Sequence, residues 1–203
     1  MAINFEILQN YVPEESMPIL EKWFSQREFE LKITGKRVTK FGDFRGSINH
    51  LPNRISVNSN LNQYAFLITL THEFAHLLVW DEHKQKVKAH GTEWKMEFAT
   101  LMDVLLVRNI FPEHLKMVLQ QHLINPPASS ARDINLIAEL KKYDAPSNTI
   151  QLAEIEEDTA FLLNGKRIFI KGKKRRTRYI CKEVSTKREY LIHGVAEVEI
   201  INT

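Results

Sequence analysis

The chain has 203 residues, 43% of them apolar, with 28 basic and 25 acidic side chains and a net charge of +3. That composition is ordinary for a globular protein and sufficient for one compact domain plus a small appendage. A single cysteine, Cys181, excludes an internal disulfide or a cysteine-rich metal site within one chain; no run approaches 18 apolar residues and Met1–Glu6 shows no basic leader, so a cytoplasmic protein without a membrane span is expected.

The first element predicted is a helix over Pro13–Ser25, with Met17, Leu20, Trp23 and Phe24 on its buried face. Phe29–Ile33 alternates as a strand and Thr34–Lys36 reads as a turn. Arg37–Phe41 and Ile48–Asn58 are expected to continue an antiparallel sheet, broken at Gly42, Gly46 and Pro52.

Asn62–Trp80 holds no Pro or Gly and reads as a helix, with Leu67, Leu70, Phe74 and Leu78 in one apolar stripe. On roughly the opposite side lie His72 and His76, four apart in an H-E-x-x-H pattern. Two imidazoles one turn apart can share one Zn²⁺, and Glu73 between them is placed to take a proton from a water held there. A third ligand is required. Val79 and Glu82 stand where the metzincin pattern needs Gly and His, which leaves Glu93, Glu97 and His90; His83 falls in what reads as an exposed turn.

Asp81–Ala89, with Lys84, Lys86 and Lys88, is expected to border a cleft. A helix follows over 91–108, with Trp94, Phe98, Leu101 and Leu105 at helical spacing and Trp94 packing beside the site. Pro112–His122 reads as a third helix with His114 and His122 at the surface, Pro126–Ser130 as a break, Asp133–Tyr143 as one more helix and Asp144–Asn148 as a linker.

Beyond residue 150 the pattern turns to short strands. Phe161–Leu163 and Arg167–Ile170 flank Asn164-Gly165 as a hairpin, Arg178–Cys181 and Glu189–Ile192 form a second pair, and Ala196–Ile201 is a final strand. Residues 165–190 carry eleven basic side chains against two acidic, a local +9 in a chain of +3. Such asymmetry is the footprint of a polyanion site. The candidate nucleic-acid contacts are Lys171, Lys173, Lys174, Arg175, Arg176, Arg178 and Tyr179, with Tyr179 and Tyr190 able to stack on bases and so to favour single-stranded DNA. The plainer alternative is a solvated basic hairpin.

His72-Glu73-Phe74-Ala75-His76, a gap of thirteen residues and then His90-Gly91-Thr92-Glu93-Trp94 together resemble the SprT-like (Spartan-type) zinc metalloprotease domain. Phe41–Arg45 and Ile55–Asn58 resemble its strands before the helix, and the likeness spans roughly 15–125. The resemblance implies His72, His76 and His90 as Zn²⁺ ligands, favouring His90 over Glu93 and Glu97, and Glu73 as catalytic acid/base. It also implies a sheet edge that holds extended substrate and a role in cutting DNA-bound or DNA-crosslinked proteins. Members often carry a carboxy-terminal zinc ribbon, whose strands Arg178–Cys181 and Arg188–Tyr190 resemble. Cys181 has no partner cysteine and His193 is the one other plausible ligand nearby, so a metal-free ribbon is expected.

The expected fold is α+β: a zincin-like metalloprotease domain over 1–145, then a small β-rich, ribbon-like basic module over 150–203. The expected function is a zinc-dependent endopeptidase with protein substrates and DNA as partners. The alternative is a nucleic-acid-binding regulatory protein with a structural zinc and negligible peptidase activity, against which the intact Glu73 argues.

Overall fold

The computed structural model describes residues 3–37, 40–48, 51–127, 133–145 and 149–201. The chain is α+β and divides into two compact units, 1–145 and 146–203. Among the described residues no helix is long and apolar enough to cross a membrane. Val38, Thr39, Asn49 and His50 of the expected early strands, Ala128–Ser130 of the expected break and Pro146–Asn148 of the expected linker lie outside the described residues.

The first unit opens with a short helix that the sequence reading missed, α1 (Phe5–Leu8), capped by the Asn4 side chain. A 3-10 turn over Glu14–Ser16 leads into α2 (Met17–Phe24), with Pro18 in its first turn, where a missing N–H costs nothing. Three strands follow: β1 (Glu30–Thr34), β2 (Gly42–Arg45) and β3 (Arg54–Asn58), in the order β1-β3-β2. The antiparallel expectation holds for β2 with β3 and fails for β1, which runs parallel to β3. Gly42, expected as a break, is the first residue of β2. Of Ile48–Asn58 the strand is 54–58.

The long helix α3 (Gln63–His83) crosses this sheet. Its N-cap Asn62 accepts the Ala65 N–H (2.9 Å) while its amide donates to the carbonyl of Leu140 (2.9 Å) and to Asp144 Oδ1 (2.6 Å). Lys84 at φ 53° ends the helix by turning the chain left-handed. The single apolar stripe is a correction: α3 is buried on nearly every side from Ala65 to Ala75, and Leu77 rather than Leu78 is fully covered. A helix apolar all round belongs in the middle of a core.

α4 (Thr92–Val107) packs along α3 through Trp94, Phe98, Leu101, Met102 and Leu105. α5 (Glu113–Ile124) and α6 (Ile134–Lys141) add Leu115, Leu119, Leu136 and Leu140 to the same core. His114 is exposed. His122, expected at the surface, is buried: at i+7 from Leu115 it shares the inward face of α5, and its Nδ1 bonds Asp133 Oδ2 at 2.8 Å.

The second unit is one six-stranded antiparallel sheet: β4 (Thr149–Gln151), β5 (Ala160–Leu163), β6 (Arg167–Arg175), β7 (Arg178–Glu183), β8 (Glu189–His193) and β9 (Glu197–Ile200), in the order β4-β9-β5-β6-β7-β8. This replaces the two separate hairpins of the sequence reading. β6 runs on past Ile170 through a bulge near Gly172 and pairs with β7, so the basic run is a hairpin of its own with its tip at Arg176-Thr177. Its small core contains Leu152, Phe161, Phe169, Tyr179, Cys181 and Val198.

Candidate metal centre and basic hairpin

The four-residue step of α3 brings His72 and His76 to one side of the helix. His90 arrives from the loop before α4. Gly91 N donates to Lys88 O there (2.9 Å), and a side chain at Gly91 would stand 3.2 Å from that carbonyl. Nε2 of His90 lies 2.9 Å from Nε2 of His76 and 3.3 Å from Nε2 of His72. Among the described residues these three form the one group of potential ligands close enough to share an ion, and neither Glu93 nor Glu97 joins it.

Burial holds the imidazoles neutral. It pushes His72 down to about 2, helped by the neighbouring His76, His90 and His122, and His76 down to about 3, helped by His90; burial also lowers His90. Three neutral rings that aim the same nitrogen at one point present three lone pairs and no counter-charge. That donor set fits a borderline divalent cation with nitrogen preference, and ligands at roughly 2.0–2.1 Å in tetrahedral array stand near the separations seen here. Trp94 walls the group. Its ring lies 4.4 Å from that of His72 and 5.2 Å from that of His76, and its Nε1–H donates to the His72 carbonyl at 3.3 Å. The expected packing role of Trp94 is what the geometry displays.

Glu73 faces β2. Asn58 N donates to Phe41 O (2.9 Å), so positions 41, 43 and 45 direct their main-chain groups at β3, and 42 and 44 direct theirs outward. The outward N–H of Phe44 faces the Glu73 carboxyl. Burial raises that carboxyl to about 8, Asp43 adds to the rise, and the Phe44 N–H, Arg37 and Lys40 oppose it. The side chains of β2 step along α3: Gly42 against Glu73 and Thr69, Phe44 against His76 (6.3 Å, planes 12° apart) and Trp80 (6.3 Å), and Gly46 flat against the Trp80 indole. Phe44, Asp43 and Trp80 were missed as site neighbours. The signal available was the period of two in Gly42-Asp43-Phe44-Arg45-Gly46.

In the second unit, Lys173, Lys174, Arg175, Arg176 and Arg178 are exposed around the β6–β7 tip. Lys171 and Tyr179 are corrections. Lys171 is 3% exposed, its Nζ donates to the carbonyls of Ile155 and Ala153 and sits 4.1 Å from the Tyr179 ring centre, and Tyr179 is 7% exposed. Both point inward because the strand alternates: Phe169 and Lys171 on β6, Tyr179 and Cys181 on β7. Neither can reach a base or a phosphate. Tyr190 is partly covered by Arg167, whose guanidinium lies 4.5 Å from its ring centre and is bonded to Glu183. The stacking platform that favoured single strands is therefore absent at Tyr179. Cys181 lies inside this core and His193 is exposed; among the described residues no group of potential metal ligands includes either.

Residues 14–114 match the family model described as the SprT-like family. No curated protein and no solved structure matches the chain.

Proposed function

With residues 14–114 belonging to the SprT-like family, we propose that the chain is a zinc-dependent endopeptidase of zincin-like fold, acting on DNA-associated or DNA-crosslinked proteins. The observation that carries this reading is the convergence of the His72, His76 and His90 Nε2 atoms, with Glu73, the residue next to His72 on α3, buried. When bound, Zn²⁺ supplies Lewis-acid chemistry, acidifying water and polarising the scissile carbonyl. His72, His76 and His90 hold it through neutral nitrogens. With a divalent cation held there, Glu73 would be favoured in the ionised form that a base needs. Glu73 then takes a proton from the attacking water and returns it to the leaving amine nitrogen. β2 is a sheet edge, and its outward carbonyls at Gly42 and Phe44 suit main-chain pairing with an extended peptide.

The exposed cations of the β6–β7 tip support a polyanion contact through phosphates. With Tyr179 inside the core, that contact has no reason to prefer single strands over duplex. The test is zinc content together with casein hydrolysis by the wild type and Glu73→Gln, each with and without single- and double-stranded DNA. Zinc in both proteins and hydrolysis by the wild type alone is the expected result. Zinc in both with hydrolysis by neither, with or without DNA, would replace this reading with a nucleic-acid-binding protein that uses its metal structurally.

A further inference from the structure

The aromatic side chains that α3 and α4 contribute are mostly covered: Phe66, Phe74, Trp94 and Phe98 are all essentially buried. Trp80 and Tyr64 of α3 are only partly covered, and so is Phe44, opposite Trp80 on β2. Trp80 and Phe44 adjoin the histidine triad and stand in contact with each other. The Phe44 ring lies parallel to His76 and meets Trp80 edge-on, each at 6.3 Å. Trp80 is one turn beyond His76. Its indole is pinned by the Gly46 backbone, where a Cβ would fall 2.2 Å from the ring, and its Nε1–H points to Ser47 Oγ at 3.5 Å. The shelf is thus held in place by the strand, and part of its apolar surface stays exposed.

We propose that Phe44 and Trp80 form a side-chain subsite that selects an aromatic or large aliphatic residue in the substrate, within two positions of the bond cut. This rests on the peptidase reading. One helical turn from His76 to Trp80 rises about 6 Å, and two residues of extended peptide cover about 7 Å. A peptide paired along β2 with its carbonyl at the triad therefore lays a nearby side chain on the shelf. The rim does not recruit charge. Asp43 is bonded to Lys40 (2.7 Å) and Arg45 (3.0 Å), and Asp81 to Arg27 (3.6 Å) and Lys84 (3.9 Å). Lys84 Nζ stands 5.9 Å from the Trp80 ring centre, which disfavours a basic occupant.

The test uses the full chain carrying Glu73→Gln, loaded with Zn²⁺, and fluorescein-labelled decapeptides of Gly, Ser and Ala with one central guest residue: Phe, Leu, Lys, Asp or Gly. Anisotropy should show Phe and Leu guests bound on the order of tenfold more tightly than Gly, with Lys weakest. Adding Trp80→Ala should bring the Phe-to-Gly ratio close to one, and Trp80→Phe should keep most of it. Equal binding of all guests, binding of none, or a preference that survives Trp80→Ala overturns the subsite. Casein hydrolysis by the protein that retains Glu73 separates the two claims. Hydrolysis without guest preference overturns the subsite alone, and preference without hydrolysis overturns the peptidase reading and leaves Phe44 and Trp80 as a peptide-binding shelf rather than a substrate subsite.

Discussion

Gly42 and Glu73 approach so closely that a methyl group on Gly42 would lie 2.5 Å from Glu73 Oε1 and 2.7 Å from its Cγ. The absent side chain is what lets the edge strand lie against the carboxyl. Gly42→Ala should displace the Glu73 side chain or the strand, at a cost of about 1–3 kcal/mol for overpacking. On the proposed reading, in which Glu73 is the base, turnover should fall more than stability predicts, while zinc content stays at the wild-type level. Unchanged kcat/KM on casein would remove this contact from the mechanism.

Alanine at His72, His76 or His90 should sharply reduce zinc occupancy, measured by metal analysis after gel filtration. Glu93→Ala and Glu97→Ala should leave occupancy intact, since neither carboxylate joins the triad. The opposite pattern would make the third ligand a carboxylate.

Glu73→Gln should retain zinc and lose turnover by ~10²–10⁴-fold. The same variant makes a pH prediction for the metal-stripped protein. Glu73 sits at about 8 when folded against an ordinary 4.5, so the folded chain binds the extra proton between those values and its stability declines as pH rises through them. The advantage of Glu73→Gln in urea unfolding should therefore be near zero at pH 4.5 and greatest above pH 8. His72 and His76 act in the other direction. Held at about 2 and about 3 against an ordinary 6.5, they stay neutral while the unfolded chain takes up protons, so stability falls as pH drops below 6.5. A constant offset between the two proteins across pH would show that burial of Glu73 is not felt in stability.

Trp94→Phe keeps a ring against His72 and His76 but removes the N–H that bonds the His72 carbonyl. The expected loss is about 0.5–1.5 kcal/mol for the bond, in thermal unfolding of the metal-stripped protein. A null result would mean that the 3.3 Å contact contributes packing alone.

Replacing Lys173, Lys174, Arg175 and Arg176 with Ser should weaken DNA binding and flatten its dependence on salt, by about 0.7 in log–log slope per lost contact on single strands. Tyr179→Ala and Lys171→Met should instead lower the melting temperature of the second unit, because both side chains are inside it. Full DNA affinity in the quadruple variant would reduce the tip to a solvated surface. Loss of affinity in a folded Tyr179→Ala would contradict its burial.

What could be read from residues alone were features carried by near neighbours in sequence. A helix places His72 above His76 whatever surrounds it, and the shift from helical to alternating patterns after residue 150 marks a change of unit. Pairing partners are not written that way. Nothing within Glu30–Thr34 says that it runs parallel to β3. Glycine misled for the same reason: at Gly42 it marks a close approach to a helix thirty residues later rather than a strand end. Alternation alone puts Lys171 and Lys173 on one face; the break in register between Lys171 and Lys174, which the residues do not announce, separates the buried Lys171 from the exposed Lys173 and Lys174. His122 is polar, yet its spacing from Leu115 and Leu119 puts it on the buried face of α5.

The cap on the helix that carries His72 and His76 also fixes how short a folded fragment can be. The match to the family ends at residue 114, yet Asn62 is tied to Leu140 and Asp144, and Leu119, Leu136 and Leu140 complete the core beneath α3 and α4. Trimming the gene to the matched stretch would strip α1, α6 and nearly all of α5 from that core and release the start of the helix that presents His72 and His76. The natural place to stop a minimal fragment carrying the histidine triad is Ala145, where the first unit ends.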